Sequence, residues 1–143
     1  MQIVYYFNQK SQISPVKEFL LKYDLKESDS KKQEERKIKI LAYIDQTIQF
    51  ITEHKGRPIP PVAKPLKGYK FHEMRIKDRI NLVRILYFCY TQEKLVLLNA
   101  FEKPDLYEKG LKKKVDREIN KMLKQTQQYY QDFLSNQIYE EYK

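Results

Sequence analysis

EMRIKDRINLVRILYFCY, residues Glu73–Tyr90, decides the fold. Ile, Val, Leu, Tyr and Phe dominate it, and Asp78-Arg79 breaks it with a tight two-residue turn, so it reads as a β-hairpin. It also carries Arg75 and Arg84, and an arginine in a half-buried strand loses hydration that something must replace. If Asp78-Arg79 is the turn, Lys77 faces Ile80, Glu73 faces Arg84 and Arg75 faces Leu82. A second turn at Thr91–Lys94 leads into a third strand, which puts Arg84 opposite Phe101 and Leu86 opposite Asn99. Side chains alternate along a strand, so Glu73, Arg75, Arg84, Asn99 and Phe101 share one face. Met74, Ile76, Val83, Ile85, Tyr87, Cys89, Val96, Leu98 and Ala100 share the other. The second face is the expected core, and the first is expected to be a surface with a positive, polar centre. A Glu73–Arg84 cross-strand pair contributes about 0.2–1 kcal/mol and leaves Arg75 unpaired, while Lys64 and Lys67 bring further charge from the preceding loop. Phosphate binding, structural pairing and docking of an acidic partner all fit that face.

Outward from the hairpin, the β segments are expected at Lys70–Lys77, Ile80–Tyr90 and Lys94–Lys103, with a short strand at Gln2–Phe7 (QIVYYF). Ser14-Pro15 reads as an N-cap followed by proline at the first helical position, with Val16, Phe19, Leu20 and Tyr23 at helical spacing. Ser30 and Gln33 have capping-box spacing. The helix they open is expected to reach about His54, with Ile38, Leu41, Ile44, Ile48 and Ile51 in its apolar stripe. GRPIPPVAKPLKG (56–68) holds four prolines and is expected to be loop. A last helix is expected over about Leu111–Leu134, with Leu111, Val115, Ile119, Met122 and Tyr129 on or near one face. The tail NQIYEEYK is left to fray or to bind a partner. The order β-α-α-β-β-β-α predicts an α+β fold, an antiparallel sheet covered by helices.

Composition narrows the function. The chain has 143 residues, enough for one core without staples. One cysteine, Cys89, and two histidines, His54 and His72, argue against a disulfide framework or a cluster metal site. Neither a membrane-spanning run nor a signal peptide is visible, so a cytoplasmic protein without membrane contact is expected. The net charge is +9, which favours a polyanionic partner; a lysine-rich solvated surface is the plain alternative. His72 alternates with Glu73 and reads as packed on the core side, Cys89 as core, and Lys112-Lys-Lys114 as a solvated helix face that could add salt-dependent affinity for RNA.

KPLKGYKFHEMRIKDRINLVRILYF (64–88), KLVLLNAFEK (94–103) and SPVKEFL (14–20) together resemble the HigB-like, phage-derived branch of the RelE superfamily of toxins. The branch's patterns are a "K-x-L-K-G-lyElRi" strand, a "yRilYf" strand, an "ivLLhaFxKK" strand and a "PVxeFL" helix. Four separated motifs in order, over roughly Ile3 to Lys103, carry the resemblance. It implies a small antiparallel sheet of about four strands, with N-terminal helices on one face and a C-terminal helix. One domain, 1–143, is expected, with a core to about 104 and a C-terminal helix and tail over 105–143. The implied activity is that of a type II toxin, a ribosome-dependent mRNA endonuclease acting by attack of the ribose 2′-hydroxyl on phosphate, with no metal and no cofactor. The implied partners are mRNA, the ribosome and a cognate antitoxin of helix-turn-helix type, with DNA reached only through that antitoxin.

Carried over by position, the resemblance makes Arg75 and Arg84 phosphate or transition-state contacts, a task that suits a planar, permanently charged fork. It places Lys103 and Glu73 beside them in the catalytic set, Glu73 as an orienter of Arg84 or a base. Lys64, Lys67, Lys77, Asn99 and Phe101 are the expected RNA contacts. Asn99 stands where members often have histidine, Pro104 replaces the second lysine of the last motif, and DLYEKG replaces a Thr-rich segment. Those departures support an alternative: a catalytically degenerate RelE-fold nucleic-acid-binding protein, or a phage-derived regulatory or interaction protein.

Overall fold

The computed structural model describes residues 1–77, 82–103 and 111–142. Its strands are β1 (Gln2–Tyr6), β2 (Ala63–Pro65), β3 (His72–Lys77), β4 (Leu82–Tyr90), β5 (Lys94–Lys103) and β6 (Tyr139–Glu141), and its helices are α1 (Pro15–Leu20), α2 (Lys31–Glu53) and α3 (Leu111–Asn136). One six-stranded open sheet has the order β2-β3-β4-β5-β1-β6. Among the described residues only the β1–β5 pair is parallel. The α+β class is as expected and consistent with a RelE-like fold, but the sheet has six strands rather than about four. The extra ones are short: β2 lies inside the proline-rich stretch expected to be loop, and β6 is the tail. Pro65, which cannot donate to a ladder, sits on the edge strand, where that costs least.

Local chemistry explains the helices. Ser30 accepts from the Gln33 amide while Gln33 Oε1 accepts from the Ser30 amide, so the anticipated capping box starts α2. The helix buries Ile40, Ile44, Ile48 and Ile51. Ile38, assigned to that stripe from spacing, is instead exposed. At its C-terminal end Gly56 adopts φ +78 and its amide returns to the Ile51 carbonyl, a left-handed stop that suits glycine. The tail is tied down: β6 pairs with β1, Tyr142 donates to Asp45 at 2.6 Å, and Lys17 meets Glu140 at 2.7 Å.

Two observations change the expected geometry. Lys77 pairs with Leu82, not Ile80, so Arg75 lies opposite Arg84 and Glu73 opposite Leu86. The proposed Asp78-Arg79 turn lies outside the described residues. A bulge between Leu86 and Tyr87 then shifts the β4–β5 ladder, from Leu86↔Asn99 to Tyr87↔Leu97. An extra residue in one strand reverses the alternation, which moves Val96 and Leu98 off the face expected for them. They join Val4, Tyr6, Phe71, Leu86, Phe88, Phe101, Tyr130 and Phe133 in a second core under α3, while α1 and α2 cover the first. Helices therefore lie on both sides of the sheet. The face expected to be open is largely covered.

Candidate functional site

Residues paired across neighbouring strands put their side chains on the same face. Lys64, Glu73, Leu86 and Asn99 form one row across β2, β3, β4 and β5; Arg75, Arg84 and Phe101 form the next, and Lys77, Leu82 and Lys103 the third. The alternation in the sequence assigns Glu73, Arg75, Arg84, Asn99 and Phe101 to one face with Lys64 beside it, and the register puts all of these on one face together with Lys77 and Lys103. Lys67 stands apart, exposed in the turn between β2 and β3. That turn closes through the Tyr69 amide on the Leu66 carbonyl and needs the positive φ of Gly68.

The centre of this face is a carboxylate between two guanidinium groups. Glu73 Oε1 accepts from Arg84 Nε at 3.1 Å and from Arg75 Nε at 3.2 Å. Two arginines directly opposite on adjacent strands would repel, and Arg84 is buried. The Glu73 carboxylate, itself buried, neutralises one charge and fixes both forks. Arg75 is the accessible member, with 39% of its side chain exposed against 10% for Arg84. Lys77 is exposed, and Lys64 and Lys103 are half-buried at the margins. The trio carries net charge +1, and the lysines extend it into a site able to hold a phosphate. Arg75 and Lys77 also line a groove of about 440 Å³ between β3 and α2, with Tyr43, Gln46, Thr47 and Phe50 opposite.

The inner half of the row is under α3. Asn99 Nδ2 donates to Thr126 Oγ1 at 3.1 Å, Thr126 Oγ1 donates to the Met122 carbonyl at 2.6 Å, and Asn99 Oδ1 accepts from the Ala100 amide at 3.0 Å. Asn99 is therefore occupied in fastening α3 to β5. Phe101 is buried beside it, at the floor of a cleft of about 440 Å³ whose other wall is Leu111, Val115, Ile119 and Met122. Thr126 was absent from the sequence reading. The signal was available, because Val115, Ile119, Met122, Thr126, Tyr130 and Phe133 recur every three or four residues, a single helix face.

The other titratable groups lie elsewhere. His72 packs on Tyr87 on the opposite face, ring centroids 5.5 Å apart, and burial lowers its pKa. Burial raises the Cys89 thiol above its ordinary value, the reverse of what a reactive thiolate needs. Burial alone would raise Glu102, but hydrogen bonds from Tyr23 and Lys22 outweigh it and hold the carboxyl below its usual range.

Residues 29–126 match the model of a family described as Phage derived protein Gp49-like (DUF891). That span contains every residue of the candidate site, from Lys64 to Lys103, and ends at Thr126, the contact of Asn99. No curated protein matches the chain.

Proposed function

Since this chain belongs to the phage-derived Gp49-like family, which is associated with toxin–antitoxin toxins of the RelE superfamily, we propose that it is a toxin of the HigB-like branch that cleaves ribosome-bound mRNA and is neutralised by a cognate antitoxin. The observation that carries the reading is the Arg75–Glu73–Arg84 trio: two arginines facing each other across β3 and β4, held by one buried carboxylate. The chemistry is transesterification. A ribose 2′-oxygen bonds to phosphorus, its proton leaves to a base, the bond to the 5′-oxygen breaks, and that oxygen takes a proton. The products are a 2′,3′-cyclic phosphate and a 5′-hydroxyl. Charge builds on the phosphorane oxygens, where a fixed guanidinium stabilises it most.

In this reading Arg75 is the first contact with the phosphate and Arg84 the second, with Glu73 orienting both. Lys103 stands in the third row as a proton donor, and Lys64, Lys67 and Lys77 hold the backbone. Asn99 and Phe101 serve as packing under α3 rather than as RNA contacts. The test is Arg75→Ala and Arg84→Ala, each checked for folding by circular dichroism. Losing one transition-state donor costs about 10²–10³ in rate, so each variant should relieve growth arrest and leave ribosome-bound mRNA uncut. If both remain fully toxic, the site assignment is refuted.

One observation favours a second reading, a non-enzymatic RNA-binding protein. Asn99 occupies the position where a histidine would shuttle protons, and its amide is buried and bound to Thr126. That reading requires RNA affinity with steep salt dependence and no cyclic-phosphate product at any enzyme concentration.

A further inference from the structure

α3 turns a second basic surface away from the sheet. At about 100° per residue, Lys113, Arg117, Lys121 and Lys124 fall within an arc of roughly 80°, on the side opposite Val115, Ile119, Met122, Thr126 and Phe133, while Lys114 lines the cleft between α3 and Phe101. All four cations are exposed, and the stripe runs about 17 Å at 1.5 Å per residue. None of the four has a carboxylate partner among the described residues, whereas Lys17, Lys22 and Lys37 elsewhere each do. Lys113–Arg117 and Arg117–Lys121 are spaced i, i+4, where like charges destabilise a helix by a few tenths of a kcal/mol each. Residues at that spacing are about 6 Å apart along the axis, a separation comparable to that of successive phosphates on one strand. Asp116 and Glu118 flank the stripe on the same helix but form no ion pair with it, so a polyanion laid along the stripe would relieve the remaining repulsion.

We propose that this stripe is a second nucleic-acid surface, and that it holds the phosphate backbone of a structured RNA in the particle that presents the substrate. The inference rests on the RNA-cleaving reading, and the relation of the two surfaces makes it specific. The Arg75–Glu73–Arg84 trio lies on the sheet face that α3 packs against, while the stripe lies on the helix's outer side. The helix is about 10–12 Å across with its side chains, so a short strand lying in the trio cannot also lie along the stripe. One RNA is cut and another is held. Affinity for a large RNA particle and affinity for a free oligonucleotide should then respond to different residues.

The test uses the full-length protein and two probes: purified ribosomes carrying a short mRNA, and a fluorescein-labelled 12-nucleotide single-stranded RNA, each titrated over 50–200 mM salt. The stripe variant K113Q/R117Q/K121Q/K124Q should lose roughly a hundredfold in ribosome affinity and about three to four units of salt slope, near one unit per cation removed. Its affinity for the 12-mer should stay at the wild-type value. Arg75→Ala should weaken the 12-mer. A K113R/K121R/K124R variant keeps the charge and should restore ribosome binding. Equal losses on both probes, or no loss on ribosomes, overturn the stripe while leaving the arginine trio standing. Wild-type protein that binds neither probe overturns the RNA reading and the stripe with it.

Discussion

Glu73→Ala and Glu73→Gln separate an orienting carboxylate from a catalytic base. Glu73 is 7% exposed and Arg84 9% exposed, and the two meet at 3.1 Å. Deleting one partner of a buried pair leaves an uncompensated charge and costs about 3–5 kcal/mol. Here Glu73→Ala also exposes Arg84 to Arg75, its direct cross-strand neighbour. The Arg75 bond adds little, about 0.2–1 kcal/mol, because Arg75 is well solvated. Glu73→Gln keeps an acceptor oxygen at the same place and loses only the charge assistance, about 1–2 kcal/mol. At roughly 3 °C per kcal/mol for a domain of this size, the alanine variant should melt about 10–15 °C lower and the glutamine variant about 3–6 °C lower. A Glu73→Ala/Arg84→Met double variant should recover much of the alanine loss, since it removes the orphaned charge as well. The assay is thermal unfolding at constant ionic strength, paired with cleavage of ribosome-bound mRNA. A base would behave differently: glutamine would abolish cleavage while melting near wild type, and alanine would shift the melt little. An alanine shift under about 2 °C refutes the orienting role.

Asn99→Ala should destabilise the chain by about 1–3 kcal/mol, the cost of leaving Thr126 without its buried partner; an Asn99→Ala/Thr126→Val double-mutant cycle in urea should return a coupling of about 1 kcal/mol, and additive losses would refute the fastening of α3 to β5. Burial lowers the pKa of His72 from 6.5, so the unfolded chain binds the extra proton first: His72 contributes no penalty above its unfolded pKa, and stability falls as pH drops below about 6.5 toward the lowered folded value. His72→Phe, which keeps a ring against Tyr87, should flatten that part of a urea-midpoint profile against pH; an unchanged slope refutes it. Gly56→Ala places a methyl group against the Cys89 sulfur and forces a side chain into φ +78, so a loss of about 2–5 kcal/mol is expected from overpacking plus left-handed strain. Adding Cys89→Ala should relieve only the overpacking, and full recovery would show that the backbone angle carries no cost.

The hairpin was legible because alternation and turn residues agree, and the capping box of α2 because its two side chains and two amides are local. The register was not, because Ile80 reads equally well as strand or as connection, and the pairing observed is Lys77↔Leu82. The bulge left no mark either: Leu95-Val-Leu-Leu98 is apolar at every position, so nothing polar signals which side each residue takes. The covered second face did leave a mark. Leu86 and Phe88 fall on the same side as Arg84, and an unbroken run from Ile85 to Tyr90 is the pattern of a strand buried on both sides. Taken at full weight, those two residues would have required a helix over the arginine face, and the stripe ending in Thr126, Tyr130 and Phe133 would have supplied it.

That cover also limits the direction from which an anion would reach the proposed site. Exposure falls across the middle row, from Arg75 at 39% of its side chain to Arg84 at 10% and a buried Phe101. The open end lies on β3, where Arg75 and Lys77 are exposed; β2 pairs as far as Met74, and just beyond it the Arg75 amide donates to the Val62 carbonyl at 2.8 Å. If the proposed site binds a phosphate, that order of exposure has it enter from the β3 side, meet Arg75 first, and gain Arg84 only at the depth where Glu73 holds both arginines. An arginine that looks costly in a strand is held there by the residue that also aims its accessible neighbour. The buried charge and the candidate chemistry are the same three side chains.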